Sequence, residues 1–569
     1  MLLEGEQMMG AKSHLARGLS SVATMATIAL VAPATAPAAG EEALESWSTP
    51  ITLRTPDGWY ASPIHGGLLP DGRVFLWGVS RSDWPTATSD PGRPMSFVLD
   101  PRAAVDGNLL IDEIPQPVEI DRLLQGNLVV SDSYYCAGQS ITADGKVFTA
   151  GGTRAWTDQA TNAAATIIGL QHETIFDPST DEWSRLPGAM VGNGQLSVAA
   201  RWYPTVTRLP DGRMLVTAGF ERVKPTAVLN FSTETYDPAT GARAVGSTYG
   251  TTPLEIVNRD YTHVFTLPYA SAAMDLLMIG EPGRPVLNSS RNLSRWSALG
   301  PARPGAAGQR DAGYGQSSVM LPLRVRNREW GYSNGSILVT GGRKDTPLMQ
   351  QADVYDPIRS TWQPSIATGV MRHHPATVGL PDGRILVLAG HNMLGDSGVL
   401  GAQYIDPANG FAVTDAAGGM TQTRGYHTVS LLLPDGKILL AGGRDSDTET
   451  TLEKPTLQYF SPDYMAKVRP TITGAPATLS YGGTFPITVD GAPPSEVVLV
   501  GLGSMTHSFD SNQRVVQLPV GKVQDLGGGS YRVITGGPKD AHVAPPGHYM
   551  MFVLDGDRIP SVATMVRVV

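Results

Sequence analysis

The stretch LLPDGRVFLWG at residues 68–78 decides the fold, because variants of it recur along most of the chain. Each copy combines a strand, a tight Asp-Gly or Asn-Gly turn, a second strand with β-branched residues and a terminal small residue. A two-residue hairpin needs positive φ at both central positions, which these dipeptides tolerate, so each copy predicts a β-hairpin. The other copies are ITADGKVFTAGG (141–152), RLPDGRMLVTAG (208–219), GYSNGSILVTGG (331–342), GLPDGRILVLAG (379–390) and LLLPDGKILLAGG (431–443).

A second motif, an aromatic or aliphatic residue before Asp-Pro, follows the hairpins and predicts the outer half of the repeat. Its copies are FVLDP (97–101), TIFDP (174–178), ETYDP (234–238), DVYDP (353–357), QYIDP (403–407) and the variant QYFSP (458–462). Four short strands are the size of one propeller blade. With a degenerate segment at 263–280 the chain has seven such units. We therefore predict an all-β protein with a seven-bladed, kelch-like β-propeller over residues 46–466.

The pattern changes at residues 467–569, which alternate polar and apolar residues between Gly and Pro turns. Examples are RPTITGAPATLSYGGTFPITV (469–489) and PPGHYMMFVLD (545–555). About a hundred residues of short strands with frequent turns are typical of an immunoglobulin-like β-sandwich. The segment predicts a C-terminal sandwich domain, which by itself could be an adhesion or spacer module.

Composition excludes several classes of protein. Charged residues are 17% of the 569, against roughly 25% in an average globular protein. Gly and Pro number 64 and 44, which favours short strands and turns over long exposed helices. Hydrophobic content of 41% excludes wholesale disorder. The net charge of −9 argues against a nucleic-acid partner, because phosphate binding requires an excess of Lys and Arg.

The N-terminal residues 1–40 have the order of a secretory signal peptide. Lys12 and Arg17 precede an uncharged stretch from Gly18 to Ala32, and Ala34-Thr35-Ala36 follows. The stretch is too short and too polar for a membrane span, and no other segment has 18 uninterrupted apolar residues. We expect a secreted, extracellular protein without a membrane span, either free or associated with the cell surface. The single cysteine, Cys136, excludes a disulfide framework.

Three hairpins are preceded by residues that could carry chemistry at a comparable position near the propeller axis. YYCAGQS places Cys136 there, ARWYPTV places Tyr203, and TRGYHTV places Tyr426 and His427. The sandwich domain adds His507 in a predicted hairpin loop, GSMTHSFDSNQR. Two imidazoles with one or two phenolates form a mixed nitrogen and oxygen set that suits Cu(II). A copper ion with an oxidisable side chain can transfer two electrons, as the oxidation of an alcohol or aldehyde requires.

In these four motifs, and in their order along the chain, the sequence resembles the copper radical oxidases, the galactose oxidase and glyoxal oxidase family. The motifs are closest to those of glyoxal oxidase and its bacterial relatives. The resemblance implies one copper ion, bound by Tyr203, Tyr426, His427 and His507. It also implies a thioether between Cys136 and Tyr203, with Tyr203 as the radical site and Tyr426 as the general base.

Two further residues follow from the resemblance. Galactose oxidase stacks a tryptophan on the cross-linked tyrosine from a region that here reads TAGFERVKP, without a tryptophan. The resemblance therefore points to Trp156 as a substitute from a different loop. It also points to Arg310, in QRDAGYGQSS, as a substrate-binding residue. The remaining histidines, among them His65, His373, His374 and His391, are interpreted as structural or as lining the channel.

The resemblance predicts a secreted copper alcohol or aldehyde oxidase that reduces O2 to H2O2. Its partners would be O2 and a small alcohol, aldehyde or carbohydrate, and we expect a monomer. Loops at residues 154–172 and 391–403 are expected to determine which substrate enters the channel. The alternative is a non-catalytic kelch propeller that binds glycans or proteins and requires neither Cys136 nor Tyr203.

Overall fold

The chain folds into a ring of seven antiparallel β-sheets, the blades of a β-propeller, followed by a C-terminal β-sandwich. Within the described residues only three short 3-10 helices accompany the strands, so the predicted all-β fold is confirmed. No helix among them is long and apolar enough to cross a membrane. The computed structural model describes residues 45–569 except 83, 85–91, 104–106, 119–121, 124–127, 159–162, 191–198, 226, 231, 247–260, 270–274, 280–284, 292, 294–295, 299, 306–314, 327–332, 334, 343–346, 393–397 and 446–452. The predicted signal segment at 1–40 lies outside these residues.

The first half of the propeller region contains strands of two to nine residues. In chain order they are β1 (Ser46–Trp47), β2 (Ile51–Arg54), β3 (Tyr60–Leu68), β4 (Val74–Arg81), β5 (Arg93–Leu99), β6 (Asn108–Leu110), β7 (Arg122–Leu123), β8 (Leu128–Ser133), β9 (Gly138–Ile141), β10 (Val147–Ala150), β11 (Thr153–Asp158), β12 (Ala163–Gly169), β13 (Glu173–Asp177), β14 (Glu182–Arg185), β15 (Thr205–Arg208), β16 (Met214–Thr217), β17 (Phe220–Lys224), β18 (Val228–Leu229), β19 (Glu234–Tyr236) and β20 (Arg243–Val245).

The second half continues the same arrangement, with 3-10 helices at Pro347–Gln350, Pro407–Asn409 and Asp463–Ala466. Its strands are β21 (His263–Thr266), β22 (Leu276–Ile279), β23 (Val286–Asn288), β24 (Ser297–Ala298), β25 (Gln316–Met320), β26 (Ile337–Gly341), β27 (Gln351–Asp356), β28 (Thr361–Trp362), β29 (Ile366–Ala367), β30 (Ala376–Gly379), β31 (Ile385–Leu388), β32 (Gln403–Asp406), β33 (Ala412–Asp415), β34 (Thr428–Leu432), β35 (Ile438–Gly442) and β36 (Thr456–Ser461).

The ring closes through a single sheet that contains the first and last blades. Strand β2 lies between β36 of the last blade and β3 of the first, and β1 also pairs with β36. Trp47 is opposite Phe460 in this pairing, and the two rings lie 4.6 Å apart. The remaining blades are β9, β10, β13 and β14, then β15, β16, β19 and β20, and the consecutive sets β21–β24, β25–β28 and β30–β33. The N-terminal strands thus complete the blade made by the chain's last repeat.

The hairpin turns differ from the predicted two-residue type. In the first hairpin the Leu69 amide donates to the Arg73 carbonyl and the Gly72 amide donates to the Leu69 carbonyl. Gly72 has φ 87°, whereas Asp71 is not in the left-handed region. This is a three-residue loop, a type I turn followed by a left-handed glycine. Proline suits the first central position of such a turn, which explains the Pro-Asp-Gly sequence.

A further sheet lies outside the repeat pattern. Strands β7, β8, β11, β12, β17 and β18 form a six-stranded sheet, with β11 and β12 as a hairpin near its centre. The segment 154–172, which was expected to be a loop, is mostly paired in strands β11 and β12, and its role in substrate specificity stays a prediction. Buried Asp132 fixes Arg154 of this sheet through two contacts of 2.6 Å.

The C-terminal sandwich consists of two sheets, β37-β39-β45-β44 and β38-β47-β46-β40-β43. Its strands are β37 (Thr471–Gly474), β38 (Thr478–Leu479), β39 (Thr484–Asp490), β40 (Glu496–Gly501), β41 (Ser504–Thr506), β42 (Phe509–Asp510), β43 (Val515–Leu518), β44 (Val520–Gly527), β45 (Ser530–Gly536), β46 (Gly547–Leu554) and β47 (Thr564–Val568). Its inner residues share one hydrophobic core with the fourth and fifth blades.

The hairpin β41–β42 belongs to the sandwich by sequence and to the propeller by pairing. Strand β41 pairs with β3 of the first blade, which places Thr506 opposite His65. The buried Asp510 carboxylate accepts from the Ser504 and Asn512 amides at 2.8 and 3.0 Å and thereby holds the hairpin closed. Both domains are therefore needed to position the residue at the tip of this hairpin, His507.

Candidate metal centre

Four predicted site residues have a backbone conformation that non-glycine residues rarely adopt. Their φ angles are 63° at Cys136, 64° at Tyr203, 68° at His427 and 47° at His507. The first three lie one or two residues before the opening strands of their blades, and His507 lies at the hairpin tip. A left-handed conformation costs about 1–3 kcal/mol per residue and persists where the surrounding structure enforces it, often at functional sites.

A thiol and two phenols meet at the axis. Cys136, Tyr203 and Tyr426 belong to one buried cluster, and each is at most 6% exposed. The Tyr203 and Tyr426 hydroxyls share a hydrogen bond, and Tyr203 also interacts with the Cys136 thiol. The Tyr203 amide donates to the Cys136 carbonyl at 3.0 Å, which couples the second and third blades. Residues 67 positions apart in sequence are thus in direct contact.

His427 and His507, the two predicted histidine ligands, have the same hydrogen-bonding arrangement at their ring nitrogens. The rings of His427 and His507 lie 4.3 Å apart with an interplanar angle of 75°. Nδ1 of His427 is bound to the Glu453 carboxylate at 2.5 Å, and Nδ1 of His507 is bound to the Thr506 hydroxyl at 2.6 Å. Nε2 of both rings is buried and has no hydrogen-bond partner among the described residues. Buried polar atoms normally have a partner, so these two nitrogens indicate a bound metal ion that accepts a lone pair from each.

The charges at the centre favour a bound cation. Burial lowers the pKa of His427 and His507 well below 6.5, so both imidazoles are neutral and can donate a lone pair. Burial raises the pKa of Tyr203 well above 10, and the neighbouring Cys136 and Tyr426 add to the effect. Ionising these phenols near neutral pH therefore requires a metal ion beside them. Two imidazoles and two phenols fit Cu(II) by the chemistry of the donor atoms.

A buried ion pair flanks the two phenols and the His427 imidazole. The Arg444 guanidinium lies 4.7 Å from the centre of the Tyr426 ring, and its Nε is 3.7 Å from Glu453. Burial raises the pKa of Glu453 to about 7, while Arg444 acts in the opposite direction. Glu453 therefore links the His427 imidazole to the cation that faces Tyr426. No sequence motif indicated either residue.

Comparison with known proteins finds relatives named as oxidases and a family model that matches the C-terminal domain. Residues 469–568 match the family described as galactose oxidase-like, Early set domain. An aldehyde oxidase GLOX of Vitis pseudoreticulata is 28% identical over 68% of this chain and 74% of its own length. A galactose oxidase of Gibberella zeae is 24% identical over 89% of this chain and 69% of its own.

Two further comparisons concern length and fold. The chain spans about half the length, 54%, of a WSC domain-containing protein of Arthroderma benhamiae to which it is 26% identical. A solved structure of a fungal alcohol oxidase of the AA5 family, in complex with copper, superposes with a TM-score of 0.66. That likeness covers 92% of this chain and all of the other at 19% identity. These relatives support the resemblance to the copper radical oxidase family that the sequence motifs indicated.

The tryptophan that packs on Tyr203 is one that the sequence analysis missed. The Trp202 ring stacks on Tyr203 with centroids 3.5 Å apart and planes 10° apart. The signal was present in ARWYP, where Trp202 directly precedes Tyr203. The predicted substitute, Trp156, lies in β11, and its side chain is outside the described residues. Its assignment stays a prediction.

The remaining residues are two that the sequence analysis named, Arg310 and His65, and one that it did not, Tyr261. Arg310 lies outside the described residues, so its substrate role stays a prediction. His65 has both ring nitrogens occupied, by Gln139 at Nδ1 and by the Cys136 amide at Nε2. This geometry supports its structural interpretation. Tyr261, which was not predicted, stacks on His507 at 4.2 Å and donates to the Ala137 carbonyl.

Proposed function

We propose that the chain is a mononuclear copper radical oxidase whose metal ligands are Tyr203, Tyr426, His427 and His507. The observation that carries the proposal is the pair of buried Nε2 atoms on His427 and His507, next to the two hydrogen-bonded phenols. Relatives named aldehyde oxidase and galactose oxidase, and a structural neighbour that contains copper, support the choice of metal. The donor set fits copper better than zinc or magnesium.

The thioether between Cys136 and Tyr203 is the second part of the proposal. The thiol and the ortho carbon of the phenol each lose a hydrogen as the C–S bond forms. Dioxygen accepts these two hydrogens and becomes hydrogen peroxide. The burial of Cys136 supports this fate, because burial raises the pKa of the thiol well above 9 and protects it from external oxidants. The lone cysteine of an exported chain would then not remain a free thiol.

In turnover a primary alcohol or hydrated aldehyde loses two electrons and two protons, and O2 becomes H2O2. Copper supplies one of the two oxidising equivalents, and the cross-linked Tyr203 supplies the other. Tyr426 accepts the proton of the substrate hydroxyl as general base. The Tyr203 radical then removes a hydrogen atom from the substrate carbon, and Trp202 shields one face of that radical from solvent.

The biological setting is proposed with the activity. We infer a secreted, monomeric enzyme that acts on small alcohols, aldehydes or carbohydrates outside the cell. The N-terminal residues 1–40 support export by their order of basic, uncharged and small residues. The competing function, a propeller that only binds glycans or proteins, needs no metal and no contact between thiol and phenol.

The deciding experiment is the intact mass of the denatured chain after thiol alkylation, before and after aerobic copper loading. We expect the loaded protein to be lighter by two hydrogens and to resist alkylation at Cys136. Cys136→Ser and Tyr203→Phe should abolish the mass loss. Tyr261→Phe is the matched control, since this phenol also packs on Tyr203 but takes no part in the bond. Full alkylation of Cys136 after confirmed copper uptake would overturn the proposal and favour the binding protein.

A further inference from the structure

Three histidines outside the proposed copper ligands form a separate buried cluster. His373, His374 and His391 are 0%, 4% and 0% exposed. One ring nitrogen from each can be chosen so that all three lie within 4.8 Å of one another. In the part of the chain that the structure describes, this is the one group of three or more His, Cys, Asp or Glu side chains with such spacing.

The sixth blade brings these residues together by backbone pairing. His373 and His374 lie just before β30, and His391 lies three residues after β31. His373 and His391 form an antiparallel bridge in which each amide donates to the other's carbonyl at 2.9 Å. His374 has φ 55°, a left-handed conformation like those of the proposed copper site. The strained backbone thus places a third ring beside a pair that the strands already align.

The orientation of His373 suits metal binding. Its Nδ1 donates to the Gly342 carbonyl at 2.8 Å, which fixes the tautomer and leaves a lone pair on Nε2. Metal-bound histidines almost always make such a second hydrogen bond. The His373 ring lies 4.2 Å from that of His374 and 5.0 Å from that of His391, so the three rings enclose one small volume.

Three converging imidazoles are a ligand set that zinc commonly takes in proteins. Zinc–nitrogen bonds of about 2.0–2.1 Å place tetrahedral ligands about 3.3 Å apart, inside the observed limit. Here three imidazoles converge on one another, as the ligands of one metal ion do.

We propose that His373, His374 and His391 form a second metal site that binds one zinc-like divalent ion through three imidazoles. A fourth position remains for water or another ligand, as in zinc sites with three protein ligands. The site is adjacent to the proposed copper centre, because the His374 and Tyr426 rings lie 4.6 Å apart. It shares no ligand with that centre and does not depend on the proposed oxidase activity.

The test is Zn2+ binding by the whole protein in a His507→Ala background, in which the proposed copper site has lost a ligand. We expect one bound zinc per chain, and Co2+ in its place should show the visible bands of a tetrahedral ion. His391→Gln should weaken zinc binding by about 100-fold or more, since loss of an outer-shell partner alone costs up to that factor. His263→Gln is the matched control, a buried histidine held by Ser318.

X-ray absorption at the zinc edge covers the case in which His391→Gln does not fold. Three imidazole nitrogens at one distance in the His507→Ala protein would support the site without that variant. Absence of stoichiometric zinc from this protein, or equal affinity in a folded His391→Gln variant, would overturn the proposal. In the parent protein, zinc binding at this site together with failure of the Cys136–Tyr203 bond to form after confirmed copper uptake would refute the oxidase and leave this site standing.

Discussion

Replacing Glu453 by glutamine tests whether His427 binds a metal through Nε2. Glu453 is 6% exposed and accepts from Nδ1 of the fully buried His427 at 2.5 Å. A carboxylate at this place fixes the imidazole tautomer and raises the basicity of the opposite nitrogen. Glutamine keeps the size of the side chain and one oxygen acceptor but removes the charge. It also removes the buried counter-charge of Arg444.

Two independent estimates of the free energy that this substitution costs in copper binding agree. Loss of an outer-shell partner typically weakens metal binding by about 10- to 100-fold, which corresponds to about 1.4–2.7 kcal/mol. A hydrogen bond to a charged group contributes about 1.5–3 kcal/mol. We therefore expect Glu453→Gln to raise the copper dissociation constant by about 10- to 100-fold. The effect should be largest above pH 7, because burial raises the pKa of Glu453 to about 7 and the carboxyl is ionised only above that value.

The assay is competition for Cu(II) against chelators of graded affinity, on folded protein. Glu173→Gln is the matched control, because Glu173 is equally buried and pairs with Arg243 but lies in β13 of the second blade. That control should bind copper like the parent. A copper dissociation constant of Glu453→Gln within twofold of the parent would refute the reasoning, because His427 would then not depend on its Nδ1 partner.

Two other substitutions separate the radical from the scaffold. Trp202→Leu removes the ring stacked on Tyr203, a contact of about 0.5–1.5 kcal/mol, so the radical absorbance of oxidised, copper-loaded protein should decay faster than in Trp202→Phe. Equal decay rates would contradict this role. Glu234→Ala leaves the Arg201 guanidinium, 0% exposed, without its counter-ion and should lower the free energy of unfolding by about 3–5 kcal/mol in urea. Asp71→Ala, in an exposed ion pair, should change it by at most about 1 kcal/mol.

The propeller was predictable from the sequence because the same sequence pattern recurs in each of its blades. A single Pro-Asp-Gly segment is ambiguous, but recurrence with Asp-Pro at a later position specifies a blade. The turn type was still predicted wrongly, since Asp-Gly fits both a two-residue hairpin and a type I turn with a left-handed glycine. The hydrogen bonds around Gly72 distinguish the two, and they depend on the flanking proline and arginine.

Most candidate site residues were predictable because they lie near the repeated position at the axis, and His507 was predicted from a hairpin loop of the sandwich. Cys136, Tyr203 and His427 precede opening strands and could be compared from blade to blade. Glu453 lies before β36, outside that position, and reaches His427 only through the fold. Trp202 was missed although it adjoins Tyr203, because the expectation of a tryptophan from elsewhere directed attention to Trp156. The six-stranded sheet was missed because its strands pair across long sequence separations.

A buried arginine recurs in the sequence shortly before three of the left-handed residues near the axis. Arg201, Arg372 and Arg424 lie two or three residues before the left-handed residues Tyr203, His374 and His427. Each buried guanidinium donates to a carbonyl at the end of its own blade's second strand or one residue beyond it, at Ala218, Ala389 and Gly442.

These bonds involve a charged donor and contribute about 1.5–3 kcal/mol each, which is comparable to the cost of a left-handed residue. The arginine therefore offsets the strain through the backbone, independently of which side chain follows it. This explains how the residue two or three positions after the arginine can be Tyr203 in the third blade, His374 in the sixth and His427 in the seventh without altering the ring.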